Sequence, residues 1–185
     1  MHTGFEAIPL MRLIETGQAG DEAILADFPA LRDALIARER LRTADLQQRF
    51  GAIRDRLIAA DEAAWLRWNV FYPGAAEVLR AAIARQAVFI LTTKQERFAA
   101  LLLQHQGIAL PGERIYGLEA GRSKPELLAG LLARAEFAGA TFHFIEDRLD
   151  TLLDVSQRAA LRAVRLYLAD WGYNTPAQRR AAPAR

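Results

Sequence analysis

Ala87-Val88-Phe89-Ile90-Leu91-Thr92-Thr93-Lys94 is the stretch on which the fold turns. Its apolar run is too short for a helix, is rich in β-branched and aromatic residues, and has the length of a buried strand. Thr92-Thr93-Lys94 then stops the run abruptly. On the N-terminal side stands Phe71-Tyr72-Pro73-Gly74, a strong turn signal, followed by a helical pattern from Ala75 to Arg85. On the C-terminal side a helix carries Phe98, Leu101 and Leu102 on one face, and Gly107 ends it. The alternation repeats. Arg114 to Leu118 reads as a short strand. Pro125 sits in the first turn of a helix lined by Leu127, Leu128, Leu131 and Leu132. Thr141-Phe142-His143-Phe144-Ile145 is a strand ending at Glu146-Asp147. Leu149, Leu152 and Leu153 mark the next helix, and Ala163 to Leu168 the last strand. Strands alternating with helices predict an α/β fold, with a parallel sheet covered by helices on both faces.

Residues 1–70 show a different pattern. Leu25, Phe28, Leu31 and Leu35 recur at helical spacing, as do Leu46, Phe50, Ile53 and Leu57. Asp61 reads as the N-cap of a short helix bearing Trp65 and Trp68, both expected in a helical core. The expected organisation is therefore a helical cap over 1–70, an α/β core over 71–174 and a flexible tail over 175–185, rich in Pro, Ala, Gln and Arg.

Composition narrows the function classes. The chain has 185 residues, 52% of them hydrophobic and 25% charged, which suits one ordinary domain with a core. Its 24 basic and 22 acidic side chains leave a net charge of +2, a poor basis for binding nucleic acid. Arginines are scattered among acids rather than striped. The absence of cysteine excludes disulfides, zinc thiolates and thiol catalysis. No apolar run approaches the roughly 18 residues of a membrane span, and no signal-peptide layout opens the chain, so a cytoplasmic location is expected. Of the 24 basic residues only Lys94 and Lys124 are lysine. Coding bias explains the scarcity, and the two survivors either mark places where a compact ammonium suits better than a planar guanidinium or stand there by chance.

Ligands of an open parallel sheet bind beyond the carboxyl ends of its strands. Three such ends carry polar chemistry. Thr92 and Thr93 enter a helix, where hydroxyls and free N–H groups suit a phosphate, or serve as an ordinary N-cap. Lys124, in Gly121-Arg122-Ser123-Lys124-Pro125, either neutralises a phosphate or is a solvated loop charge. Glu146 and Asp147 repel each other unless a cation stands near; oxygen ligands of this kind suit Mg²⁺, while Asp147 alone could cap the following helix. Arg97 and Arg122 lie near the expected pocket and could contact an anionic substrate. His2, His105 and His143 share no metal spacing, and His143, between Phe142 and Phe144, reads as a core residue.

In order and spacing these segments resemble the haloacid dehalogenase-like hydrolases. Phe89-Ile90-Leu91-Thr92-Thr93-Lys94 is similar to the second motif of that superfamily, Ser123-Lys124-Pro125 to the third and Phe144-Ile145-Glu146-Asp147 to the fourth. Phe71-Tyr72-Pro73-Gly74 resembles the junction between cap and core, and Trp171-Gly172-Tyr173 resembles the phosphoglycolate phosphatase-like branch. The resemblance implies a Rossmann-like core with a helical cap. It further implies Mg²⁺-dependent hydrolysis of phosphate monoesters of small metabolites. Thr92 and Lys124 would act on the phosphoryl group as catalytic residues, Thr93 would assist phosphate binding, and Glu146 and Asp147 would bind the metal. Asp150 stands one residue short of the commonest position for a further acid. Dehalogenase chemistry fits the acidic pair less well.

The superfamily's first strand ends in Asp-x-Asp, whose first aspartate attacks phosphorus. No Asp-x-Asp occurs in this sequence. That strand is central in the sheet, so without it two buried strands would lose a neighbour, at roughly 1–3 kcal/mol per unpaired group. Three arrangements answer this: a chain beginning at an internal methionine, direct pairing of the two strands, or a strand from another segment or chain. The sequence therefore predicts a phosphatase-type protein that is inactive as written. A non-catalytic phosphate-binding or protein-interaction module is the alternative. An exposed strand edge would favour homo-oligomers.

Overall fold

A computed structural model describes residues 4–182; His2 and the side chain of Leu25 lie outside the described residues. The chain divides into two compact units, Met1–Glu119 and Ala120–Arg185. The division does not fall at residue 70: the helical front belongs to the same unit as the first two strands.

The first unit opens with a short 3-10 turn, Gly4–Glu6, and helices α1 (Ala7–Glu15), α2 (Asp21–Arg38), α3 (Thr43–Ala60) and α4 (Glu62–Arg67). Helix α2 is broken at Asp27, which leaves helical geometry at φ −153° and ψ 68°. Pro29 explains the break, since it can neither donate an N–H nor clear the preceding turn. Asp27 compensates by accepting from the Ala30 N–H at 3.1 Å, so the second half of α2 starts with its own cap. Leu13 of α1 and Phe28 and Leu35 of α2 form a small core, with Leu10, Ile24 and Leu31 packed against it. Beneath it Glu6 is almost wholly buried and takes the Arg32 guanidinium, which also reaches Asp33 at 2.8 Å. Asp61 caps α4 as expected, accepting from the Ala64 N–H at 2.8 Å.

The chain then turns at Gly74 into α5 (Ala75–Ile83), forms β1 (Ile90–Leu91), α6 (Glu96–His105) and β2 (Ile115–Tyr116). Strand β1 pairs in parallel with β2, Ile90 against Ile115 and Leu91 against Tyr116. Gly107, at φ 66°, follows α6, as its sequence position predicts. Two apolar groups hold the unit. One is Ala76, Ala99, Leu103, Ile108 and Ile115; the other is Trp65, Leu66 and Phe98. Trp65 is therefore core, but Trp68 is not: it is 87% exposed. Helix α4 ends at Arg67, so Trp68 leaves the helical face that buries Trp65.

The second unit contains α7 (Lys124–Leu132), β3 (His143–Glu146), α8 (Leu149–Gln157), β4 (Arg165–Leu168) and α9 (Pro176–Ala181). Strands β3 and β4 run parallel in register, His143 opposite Arg165 through Glu146 opposite Leu168. Helix α8 packs on both strands and on α7, and Leu127, Leu128, Leu131, Phe144, Leu152 and Val155 are buried. His143 is not a core residue. It lies on the exposed face of β3, stacked on Tyr167 with its Nδ1 2.9 Å from the hydroxyl. Residues 176–181, expected as tail, are helical. Thr175 and Gln178 cap one another's backbone and Pro176 stands in the first turn, the complete N-terminal device of a helix.

The fold is thus helix-rich with short parallel strand pairs, compatible with the α/β class. Among the described residues β1 pairs only with β2 and β3 only with β4.

Candidate functional site

In the second unit the N-terminus of α7 is built to place Lys124. The Ser123 side chain accepts from the Glu126 N–H, and Glu126 Oε2 accepts the Ser123 N–H at 2.7 Å, a closed capping box. Pro125 fixes the first turn. Lys124, next to the cap, extends its ammonium to Glu146 Oε2 at 2.5 Å. Glu146 is the last residue of β3 and only 4% exposed. Burial pushes its carboxyl above the usual range; Lys124 pulls it back down, and the adjacent Asp147 pushes it up again. The remaining oxygen accepts the Arg148 N–H at 3.2 Å.

Asp147 does not cap α8, whose N-cap is Arg148. Its Oδ2 accepts the Tyr173 N–H at 2.9 Å instead. Gly172 makes this possible: its φ is +87°, and a Cβ there would lie 2.8 Å from the Asp147 Cβ. The turn is tied by Asn174, whose Nδ2 donates to the carbonyls of Asp147 and Ala169, both at 2.8 Å, while its Oδ1 accepts from Arg179 of α9 at 2.7 Å. Asn174 and Arg179 were not singled out in the sequence. The signal available was an Asn closing an aromatic-Gly-aromatic turn, a residue type whose amide satisfies several carbonyls at once. Asp150 pairs with Arg148 at 2.6 Å. Arg122 donates to the Glu126 carbonyl at 3.0 Å.

Lys124, Glu146 and Asp147 are thus brought together within one unit. Thr92 and Thr93 belong to the other unit. There the Thr92 N–H extends the β1–β2 ladder to the Tyr116 carbonyl at 2.9 Å, and its hydroxyl oxygen accepts the Lys94 N–H at 3.1 Å. That leaves the hydroxyl proton for an outside acceptor. Thr93 is exposed at the tip of the same turn. Arg97 is bound by Asp55 through two hydrogen bonds of 3.0 and 2.8 Å, with Glu119 at 3.5 Å. Lys94 is pushed down to about 8, first by burial and then by the neighbouring Arg54. The depression costs stability wherever the folded chain must hold that charge. Folding stability from this group therefore rises as pH climbs from about 8 toward the ordinary lysine range, and is flat below it.

For a divalent cation, Glu146 and Asp147 are two adjacent carboxylates, one of them still above its usual range with an ammonium in contact. Mg²⁺ is commonly held by one or two carboxylates together with phosphate oxygens and water, so the donor set fits in kind. Among the described residues no group of three or more His, Asp or Glu stands ready to hold a metal. Among the described residues no helix is long and apolar enough to cross a membrane. Compared with models of protein families, with curated proteins and with solved structures, the chain finds no match.

Proposed function

We propose that this chain is a haloacid dehalogenase-like protein of the Mg²⁺-dependent phosphatase type, with a Rossmann-like core, that holds the phosphate monoester of a small cytoplasmic metabolite without hydrolysing it. The supporting observation is the Lys124–Glu146 pair at the carboxyl end of β3. A buried carboxylate holds the ammonium in one place, so the lysine meets a phosphoryl oxygen without first losing rotamer freedom. Asp147, anchored by the Tyr173 N–H, keeps a second negative charge beside it. Glu146 and Asp147 would hold Mg²⁺, which when bound supplies charge neutralisation to the phosphoryl oxygens. No residue takes the role of attacking carboxylate, because the sequence has no Asp-x-Asp. The absent nucleophile favours binding without turnover, so the non-catalytic phosphate-binding module and the family assignment lead to one expectation for this chain.

Calorimetric titration with inorganic phosphate in the presence of Mg²⁺ tests it. Binding is expected, with at least a tenfold loss in Lys124→Ala. Phosphate binding of equal strength in Lys124→Ala, or none in the parent chain, overturns the reading. A separate assay with an aryl phosphate is expected to show no turnover; Mg²⁺-dependent hydrolysis by the purified chain would refute the inactive form.

A further inference from the structure

Strand β4 has an open outer edge with an apolar groove beside it. The Arg165 N–H donates to the Phe142 carbonyl and the Ala169 N–H to the Glu146 carbonyl, so Arg165, Tyr167 and Ala169 turn their backbone toward β3. Leu166 and Leu168 turn theirs the other way. Among the described residues β4 pairs with β3 alone, and nothing bonds to the outward N–H and C=O groups of Leu166 and Leu168.

The side chains of the same two leucines share one face of the sheet. With Leu149, Leu153 and Ser156 of α8, and Ala182 just beyond α9, they line a groove of about 60 Å³. The Ser156 hydroxyl donates to the Leu153 carbonyl at 2.7 Å, so the groove presents mainly hydrocarbon. No residue of β3 lines it, which sets it on the side of β4 away from β3, along the open edge. Room of roughly 10–15 Å³ holds one water, and a metabolite needs roughly 300–1,000 Å³. The groove falls between the two, at the size of one aliphatic side chain. Charge around the edge is one-sided. Arg162 and Arg165, at the start of β4, are exposed and, among the described residues, have no acid in ion-pair reach. Asp154 of α8 is taken by Arg158 at 3.1 Å.

We propose that the outer edge of β4 takes an extended segment of a partner protein as a third strand. One aliphatic side chain of that segment fills the groove between α8 and β4, and acidic residues at one end of it meet Arg162 and Arg165. Main-chain bonds to Leu166 and Leu168 supply the attachment, and the groove selects among the alternate side chains. A two-stranded sheet is marginal by itself, so a third strand also completes the element. The site uses neither Lys124 nor Glu146, and the phosphate-binding reading stands or falls separately.

Hydrogen exchange followed amide by amide by NMR tests the edge. In the free chain the Leu166 and Leu168 amides are expected to exchange openly, and those of Arg165, Tyr167 and Ala169 to be protected. The probes are two short synthetic peptides in which valine and leucine alternate with threonine, one ending in a pair of glutamates and the other beginning with it. One of them is expected to slow exchange at Leu166 and Leu168 by about tenfold or more; which one does so gives the direction of the added strand. Methylating every second backbone nitrogen of that peptide should remove the effect for the set facing β4 and spare it for the other set. Leu153→Asp, with its fold checked by circular dichroism, should weaken binding about tenfold by placing a charge in the groove. Slow exchange of Leu166 and Leu168 in the free chain overturns the proposal, because the chain itself or a second copy then already covers the edge. So does exchange unmoved by either peptide at about a millimolar, or binding that ignores both methylated sets or Leu153→Asp.

Discussion

Phe98→Ala lowers the stability of the chain by about 3–5 kcal/mol, the range for emptying a fully packed aromatic site. Phe98 is only 2% exposed and belongs to the apolar group of Trp65 and Leu66, with Ile58, Leu101 and Leu102 against it. Its ring lies 5.9 Å from the Trp65 ring, and the Arg97 and Arg54 guanidinium groups stand 4.3 and 5.4 Å from its centroid. Alanine removes all of these contacts at once, and the helices α3, α4 and α6 that meet here are too constrained to collapse into the space. Phe98→Leu keeps most of the volume and should cost about a third as much. Guanidinium unfolding checks both: the midpoint falls while the denaturant slope stays the same. A midpoint within error of the parent for Phe98→Ala would mean that this group does not hold the first unit together.

The second large effect comes from Arg32→Met, expected to cost roughly 3–5 kcal/mol because it strips a buried carboxylate of its guanidinium. Glu6 is 1% exposed, with the Arg32 guanidinium on its Oε1. Asp33 also binds Arg32, but from an exposed position where its contribution is small. Most of the cost is thus the loss of the guanidinium from the buried Glu6 carboxylate, which gives the prediction its second half. The double variant Glu6→Gln/Arg32→Met should recover a large part of the loss, since a neutral amide is far cheaper to bury than a carboxylate that has lost its guanidinium. A double-mutant cycle measured by the same unfolding assay decides this. Additive losses would show that the pair acts as two independent packing residues.

Local signals were legible in the sequence because their physics is local. Asp61, Gly107 and Pro125 act as the cap, the stop and the first-turn residue that their neighbours imply. The capping box of Thr175 and Gln178 is an equally local signal, set in a Pro-, Ala- and Arg-rich stretch whose composition is that of a tail. Long-range facts were not legible. Glu6 meets Arg32 across 26 positions, and Asp147 meets Tyr173 across another 26; no periodicity encodes either. The acidic pair was expected to answer its mutual repulsion with a cation, and the lysine that does so stands 22 residues away in another motif. Strand lengths were overestimated, because an apolar run records burial while a strand also needs a paired neighbour: Ala87 to Leu91 reads as five residues and only Ile90–Leu91 forms the ladder.

Strand β3 has a consequence for handling the protein at high concentration. Arg165 donates to the Phe142 carbonyl and Ala169 to that of Glu146, so alternate residues of this strand bond to β4. Ile145 falls between them, turns its own N–H and C=O the other way, and leaves a side chain 64% exposed. An edge of this kind, without a lysine, a proline or a bulge to blunt it, is a template onto which further extended segments can crystallise one after another.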